Sequence, residues 1–349
     1  MVCLHLAVAT GFNAALPGLP SFQHAGEEDT PRYLWAASCS PPEQETRVPP
    51  LRALALIWEQ PSSLLIHTTG MELTKTLQRL ELCQTCSTSV EGVVWPSGLK
   101  QLVISGRFNE SVELVSWPTS IQEIELRGHF DRSIAEVKWP VSLKKLCFGD
   151  KFNQPIVRLV WPLSLEQLGF GPSFNQPVDG VAFPSSLQIL ELGDRFNKPI
   201  RDARWPATLR QLTFGYYFNQ PIAGTVWPVA LRELKFGVSF DQPVADVLWP
   251  VKLERLEFRS LNKPIDRVSW PTSLKLLDLG QVFNQPIDGV VWPISMEILK
   301  FGDNFNHSIA GVVWPASLKV VTFGFSFRQR REPTARAAAL TELEGTKPK

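Results

Sequence analysis

The chain has 349 residues, of which 44% are hydrophobic, so it contains enough apolar material for a sizeable core. Its 35 basic and 34 acidic residues nearly cancel, so no overall field favours nucleic acid or an anionic membrane surface as partner. Five sparse cysteines are not typical of a small disulfide-built fold, and no apolar run approaches the ~20 residues of a membrane helix. We expect a soluble, intracellular and cytoplasmic protein.

The N-terminal segment, residues 1–72, lacks clear periodicity. Proline pairs and an acidic stretch interrupt its first fifty residues, and Pro61-Ser62-Ser63-Leu64 resembles a repeat fragment that is out of phase with the rest. The apolar start of the chain is not preceded by basic residues, so it is a poor signal peptide. We expect residues 1–72 to be irregular and to form at most a loose cap.

Residues 73–328 are organised as a tandem repeat of about 22 residues. A Trp-Pro dipeptide marks one phase of this repeat, Phe183-Pro184 fills its one gap, and the interval falls to 21 residues only before Trp270. Ten of the twelve tryptophans occupy this phase: Trp95, Trp117, Trp139, Trp161, Trp205, Trp227, Trp249, Trp270, Trp292 and Trp314. The period predicts stacked coils rather than separate globular domains.

The first half of each repeat predicts a short strand followed by a turn. In the unit that starts at Leu143, the spacing of Leu143, Leu146 and Phe148 points apolar side chains inward and the intervening residues outward. Gly149 then ends the strand where the backbone must turn tightly. We expect one short parallel strand in each coil.

The second half of the repeat predicts an irregular return. Phe152 is placed to enter the core, whereas Asn153 can hydrogen-bond nearby backbone groups and form a ladder when coils stack. Pro155 and Pro162 keep the preceding residues extended and cannot donate to a sheet. The fold class predicted is therefore a mainly β solenoid of about twelve curved, leucine-rich-like coils.

The run Phe-Asn-Gln-Pro-Ile or Val carries a family resemblance. It stands at residues 152–156, 174–178, 218–222 and 283–287, and it resembles the FNIP repeat over roughly residues 73–328. This chain has Trp-Pro where the family often has Leu-Pro, and Phe130-Asp131 and Leu261-Asn262 relax the motif. The resemblance implies a relative of leucine-rich repeats that mediates interactions.

The C-terminal segment, residues 329–349, follows the last repeat. Its Ala-rich part, residues 333–344, predicts one short helix that covers the final hydrophobic face, and residues 345–349 predict a free tail.

No residue pattern indicates catalysis, a cofactor or a metal. The five histidines share no spacing with a serine, cysteine or aspartate that would build a nucleophilic or metal site, and no Gly-rich phosphate loop follows a strand. Cys83 and Cys86 have the spacing of half a metal site, but no second pair completes it. We therefore predict a protein that is not an enzyme.

The outward positions of the strands are free of packing demands, and they differ from copy to copy. Such variety favours one irregular partner, a protein, over a repetitive lattice. The predicted contact surface combines two tyrosines with polar groups, namely Gln211, Thr213, Tyr216, Tyr217, Glu233 and Lys235. The predicted function is a scaffold or adaptor; the alternatives are a carbohydrate-binding repeat protein that uses aromatic platforms and a passive structural solenoid.

Overall fold

The structure is a computed structural model that describes residues 53–58, 77–84, 87 and 89–329, with only the backbone described at 53–58. These residues contain thirteen strands and no helix, and the strands form one parallel sheet in chain order. The strands are β1 (Ala53–Trp58), β2 (Arg79–Gln84), β3 (Gln101–Gly106), β4 (Glu123–Leu126), β5 (Lys145–Phe148), β6 (Gln167–Gly169), β7 (Ile189–Glu191), β8 (Gln211–Thr213), β9 (Glu233–Lys235), β10 (Arg255–Glu257), β11 (Leu276–Asp278), β12 (Ile298–Lys300) and β13 (Val320–Thr322).

Strand β1 lies within the segment that we expected to be irregular. Its Ala53 aligns with Arg79 of β2, an offset of 26 residues, whereas Arg79 aligns with Gln101 of β3 at an offset of 22. A search for the 22-residue period therefore does not find it. The fragment at 61–64, Cys86 and the predicted helix at 333–344 lie outside the described residues.

Strand β2 and the strands from β5 onward alternate in burial as the repeat predicts, whereas β3 and β4 also bury one outward residue each, Val103 and Glu125. In β5, Leu146 and Phe148 are buried, whereas Lys145 and Cys147 face the opposite side of the sheet. The register carries this pattern along the sheet, because Leu146 aligns with Leu168 of β6. The inward side chains thus form one continuous core.

Stacked aromatic rings fill this core, and their spacing shows that the solenoid curves. The phenylalanines nearest the strands, such as Phe214 and Phe236, have ring centroids 5.3 Å apart. On the return side, the rings of Trp95 and Trp117 are 6.3 Å apart. Since parallel strands lie about 4.8 Å apart, the coils spread with distance from the sheet. The sheet therefore forms the concave side.

The tryptophans pack into the core, as their phase predicts. Trp161 and Trp227 are only 5% and 7% exposed, and the four less buried members of the row still pack against the core. Four pairs of neighbouring tryptophans stack, with centroid distances of 6.0 to 6.3 Å. In these pairs a neighbouring coil covers one face of each indole.

Asparagine and aspartate side chains link the turns, as expected for Asn153. Asn153 Oδ1 accepts a hydrogen bond from the backbone N–H of Asn175 at 2.8 Å, and Asp131 Oδ1 accepts one from the N–H of Asn153 at 2.9 Å. An equivalent bond links every pair of neighbouring coils between residues 87 and 328. The series begins with Ser87 Oγ, which accepts from the N–H of Asn109, and ends with Asn306 Oδ1, which accepts from the N–H of Arg328. Each turn thereby satisfies the backbone of the next.

A second ladder lies on the return side, two residues after the proline in most coils; the coils with Gly98, Ala230 and Lys252 at this position have no hydroxyl there. Ser164 Oγ donates to the carbonyl of Leu143 at 2.7 Å, and Ser142 Oγ donates to that of Ile121 at 2.6 Å. Equivalent bonds are made by Ser120, Ser186, Thr208, Ser273, Ser295 and Ser317. Both ends of a coil are thus held to the neighbouring coil.

Replacement of Asn153 by Ala should destabilise the solenoid. The N–H of Asn175 and the amide of Gln176 would both lose their bond to Oδ1, so we expect a loss of about 1–3 kcal/mol. Urea titration followed by circular dichroism measures it. Lys151→Ala, at an exposed side chain of the same turn, is the control and should change stability by less than about 0.5 kcal/mol. Equal effects of the two variants would refute the role of the ladder.

Gly171 should not tolerate a side chain. An ideal Cβ at this position would lie 1.9 Å from the carbonyl oxygen of Gly149, a backbone atom that cannot move alone. At Gly169, a Cβ would meet only Cys147 Sγ at 3.4 Å and Glu191 Oε2 at 3.8 Å. We therefore expect Gly171→Ala to cost about 3 kcal/mol and Gly169→Ala to be almost neutral, as measured by thermal unfolding. Similar melting temperatures of the two variants would contradict this close approach.

Candidate functional site

The outward face of the central strands holds the predicted contact residues. The register from β6 to β10 brings one outward side chain of each strand into a single row: Gly169, Glu191, Thr213, Lys235 and Glu257. Neighbouring strands of a sheet lie about 4.8 Å apart, so consecutive residues of the row have the same spacing. Residues that are 22 apart in sequence thus form one continuous surface.

A shallow depression of about 500 Å³ lies along this row, open to solvent on the concave side. Three of the six predicted contact residues line it: Thr213, Tyr216 and Lys235. The charged lining also includes residues that the prediction did not name, namely Glu191, Asp194, Glu257 and Arg259. We call this surface the central depression.

The other three predicted residues lie beside the central depression rather than in its lining. Gln211 and Glu233 align with each other in β8 and β9, two positions before the row described above. Tyr217 packs edge-on against Tyr216 with ring centroids 4.8 Å apart. The six residues are therefore neighbours, but only half of them shape the depression.

The two tyrosines are exposed and held in place by the coil before them. Tyr216 is 47% exposed and Tyr217 is 54% exposed. The backbone N–H of Tyr217 donates to the carbonyl of Asp194 at 2.8 Å, and that of Tyr216 donates to Asp194 Oδ1 at 3.4 Å. Exposed aromatic rings on a fixed backbone are the usual anchors of a protein interface.

The charges of the central depression are unevenly neutralised. Glu257 pairs with Arg255 and lies 3.9 Å from Lys235, which also lies 3.9 Å from Glu233. Glu191 makes no ion pair within the part of the chain that the structure describes, and its neighbours in the row are Gly169 and Thr213. One end of the depression is therefore internally paired, whereas the other is acidic and open.

A separate charged cluster stabilises the sheet nearer its N-terminal end. Glu125 pairs with Arg127 and with Lys145, whose Nζ lies 3.0 Å from the carboxylate. Burial opposes the ionisation of Glu125, but the hydrogen bonds from Lys145 and Arg127 outweigh it and lower its pKa. Burial raises the pKa of the nearby Cys147 thiol to about 11, so that thiol is not a nucleophile at neutral pH.

The return side carries exposed aliphatic side chains on both sides of several Trp-Pro dipeptides. Val226, Val229, Leu248 and Val251 belong to adjacent coils and are 65–84% exposed. Similar residues occur at Val94, Val141, Val160, Leu163, Val291, Ile294 and Val313. This surface was not predicted, although the aliphatic residues that flank several Trp-Pro dipeptides are a signal for it in the sequence.

The described residues contain no group of three or more His, Cys, Asp or Glu side chains arranged to hold a metal ion. None of them forms a helix with the length and hydrophobicity that crossing a membrane requires. Cys83 and Cys147 are free thiols. The side chains that line the central depression offer ion pairing, hydrogen bonding and aromatic contact.

Glu125 should make the solenoid sensitive to acid. Because its folded-state pKa is lowered, its contribution is fully present above the unfolded pKa and is lost as the pH falls through the folded pKa. We expect Glu125→Gln to cost about 1 kcal/mol at pH 7, since Arg127 and Lys145 remain solvent-accessible, and to flatten the loss of stability below about pH 4.5. Urea unfolding between about pH 3 and pH 7 tests this, with Glu166→Gln as control. Parallel pH profiles of the wild type and Glu125→Gln would contradict it.

Comparison with known proteins agrees with this geometry. The family model described as FNIP Repeat matches residues 130–173, 174–217 and 283–326. The crystal structure of CroV588, a novel circular LRR protein, superposes with a TM-score of 0.72 at 34% identity and covers 80% of this chain. The match spans only 41% of that protein's length.

An internalin, InlF of Listeria monocytogenes, matches at 12% identity with a TM-score of 0.42, over 84% of this chain and 87% of that one. No curated protein matches the chain. The repeat model and the agreement with CroV588 bear out the resemblance in sequence. Residues 130–217 and 283–326 match the FNIP repeat, and the chain has the fold of a leucine-rich-repeat-like solenoid.

Proposed function

We propose that the chain is a non-enzymatic scaffold or adaptor that binds another protein on the concave face of its sheet, at the central depression. Solenoids of this kind generally serve as interaction scaffolds. The observation that carries the proposal is the pair Tyr216 and Tyr217, exposed side by side at the edge of a charged depression. Their backbone is fixed by the neighbouring coil, so binding would not have to order it.

The six residues of the proposed contact are Gln211, Thr213, Tyr216, Tyr217, Glu233 and Lys235. They span β8, β9 and the turn after β8, and they combine two aromatic anchors with polar groups. Such a mixture is typical of the centre and rim of a protein interface. The free thiols of Cys83 and Cys147 support a reducing, cytoplasmic compartment as part of the same proposal.

The carbohydrate-binding alternative relied on the tryptophan array as its aromatic platform. The indoles of that array stack on one another and are largely buried, with Trp161 and Trp292 only 5% and 6% exposed. A sugar could therefore not reach their faces. A glycan array probed with the full-length chain tests this alternative, and specific binding to one glycan class would revive it.

Replacement of both Tyr216 and Tyr217 by Ala should abolish capture of the partner. The full-length chain is immobilised, exposed to an extract of its native source, and the bound proteins are quantified by mass spectrometry against competing free chain. We expect at least one saturable partner whose binding falls about tenfold or more in the double variant, because interface tyrosines commonly contribute about 1–2 kcal/mol each.

The matched control replaces Val226 and Val229 by Ser, which alters two side chains on the return side that are even more exposed than the tyrosines. If the control variant loses the partner and the tyrosine variant still binds it, the interface lies on the return side and not at the central depression. The absence of any saturable partner would favour the passive structural solenoid.

A further inference from the structure

The acidic end of the central depression offers a negative charge that no cation of the described residues neutralises. Around Glu191, the outward residues of the adjoining strands are neutral: Gly169 and Thr213 in its own row, and Ile189 and Gln211 in the row before it. Arg195, the cation nearest to Asp194 in sequence, is not part of the lining. Glu191 and Asp194 therefore present two carboxylates at the edge of an open face.

The missing side chain at Gly169 leaves room beside the Glu191 carboxylate. An ideal Cβ at Gly169 would lie 3.8 Å from Glu191 Oε2 and 3.4 Å from Cys147 Sγ, so the carboxylate and the thiol border the space above the glycine. Glu191 is exposed, and it lines the central depression together with Asp194 and Tyr216. A group that enters there meets carboxylate oxygens and an aromatic ring.

The Tyr216 ring adds a second element of recognition. It lines the depression, and the Tyr217 ring supports it in an edge-on contact, with centroids 4.8 Å apart. A cation placed over an exposed tyrosine ring is attracted by the negative face of that ring. The planar guanidinium of arginine can stack on such a ring and pair with a carboxylate through two parallel hydrogen bonds, which a lysine ammonium cannot do.

We infer that the acidic end of the central depression is the subsite for an arginine side chain presented by an extended segment of the protein partner. This inference rests on the proposed function and names the chemistry of its partner. Glu191 and Asp194 supply the opposite charge, Tyr216 supplies the stacking surface, and Gly169 supplies the space.

The basic residues at the opposite end of the depression predict a second feature of the partner segment, an acidic residue near its arginine. Lys235 lies two strands beyond Glu191 in the same row, a distance of about 10 Å, and Arg259 lines the depression as well. In an extended segment every second side chain faces the same surface, so the positions two and four residues from the arginine, about 7 and 13 Å away, bracket this distance. A partner segment that carries an acidic residue two or four positions from its arginine would therefore complement both ends.

A library of random twelve-residue peptides displayed on phage tests this inference directly. Selection on the full-length chain should enrich arginine, with an acidic residue two or four positions away, among peptides whose binding requires Tyr216. Replacement of arginine by citrulline in one selected peptide should weaken binding about tenfold, measured as Kd by fluorescence anisotropy, because it removes the charge while keeping the shape.

Variants of the chain identify the subsite. Glu191→Gln and Asp194→Asn should each weaken that peptide several-fold and about tenfold together, whereas Tyr216→Phe should retain most of the binding because it keeps the ring. Glu136→Gln, at an exposed carboxylate on the return side, removes the same charge and should have no effect.

The outcomes separate the two proposals. Peptides that require Tyr216 but show no preference for arginine, or that bind Glu191→Gln as well as the wild type, would overturn the arginine subsite and leave the proposed docking face intact. Failure to select any peptide, or selection only of peptides that ignore Tyr216 and Tyr217, would count against both.

Discussion

The contact between one coil and the identical position of the next is the interaction on which the whole structure depends. The turn of each coil exposes a backbone N–H, and the side chain of Asn153, or of its equivalent, supplies an acceptor for it from the coil before. Stacked rings such as Phe130 and Phe152, 6.0 Å apart, fill the space between the same two coils. Stability therefore arises at the interfaces between coils, and a single coil has almost none of it.

The need for each coil to match the next also determines which surface positions can vary. Inward positions must repeat, so only outward positions are free to vary, and the same residue type takes different roles according to its lateral neighbours. Glu125 lies against Arg127 and Lys145 and is committed to an ion-pair cluster. Glu191 occupies the equivalent position three coils later, where the residue equivalent to Arg127 is Gly193. One glutamate thereby stabilises the sheet, and the other remains available for recognition.

The period of the sequence was sufficient to predict the fold within the repeats, because each position meets its own copy 22 residues later. Leu146, Phe152, Asn153 and Trp161 all have the predicted roles. Strand β1 escaped prediction because backbone pairing needs no side-chain motif, and its 26-residue offset hides it from a periodic search. The exposure of Tyr216 and Tyr217 was anticipated, but the acidity around Glu191 was not, since ion pairing depends on which side chains the register places side by side. The contact surface itself stays a prediction.

The aromatic side chains on the return side suit the curvature of the sheet. Coils about 4.8 Å apart at the strands are 6.0 to 6.3 Å apart at the indoles and 6.0 Å apart at Phe130 and Phe152, so a stacked ring in each coil keeps neighbouring coils in contact. Eight of these buried indole N–H groups have no hydrogen-bond partner among the described residues, which costs about 1–3 kcal/mol each. Burial of about 200 Å² by each indole contributes about 5 kcal/mol. Packing of each tryptophan therefore outweighs its unmade hydrogen bond, and the row contributes to stability at the interfaces between coils.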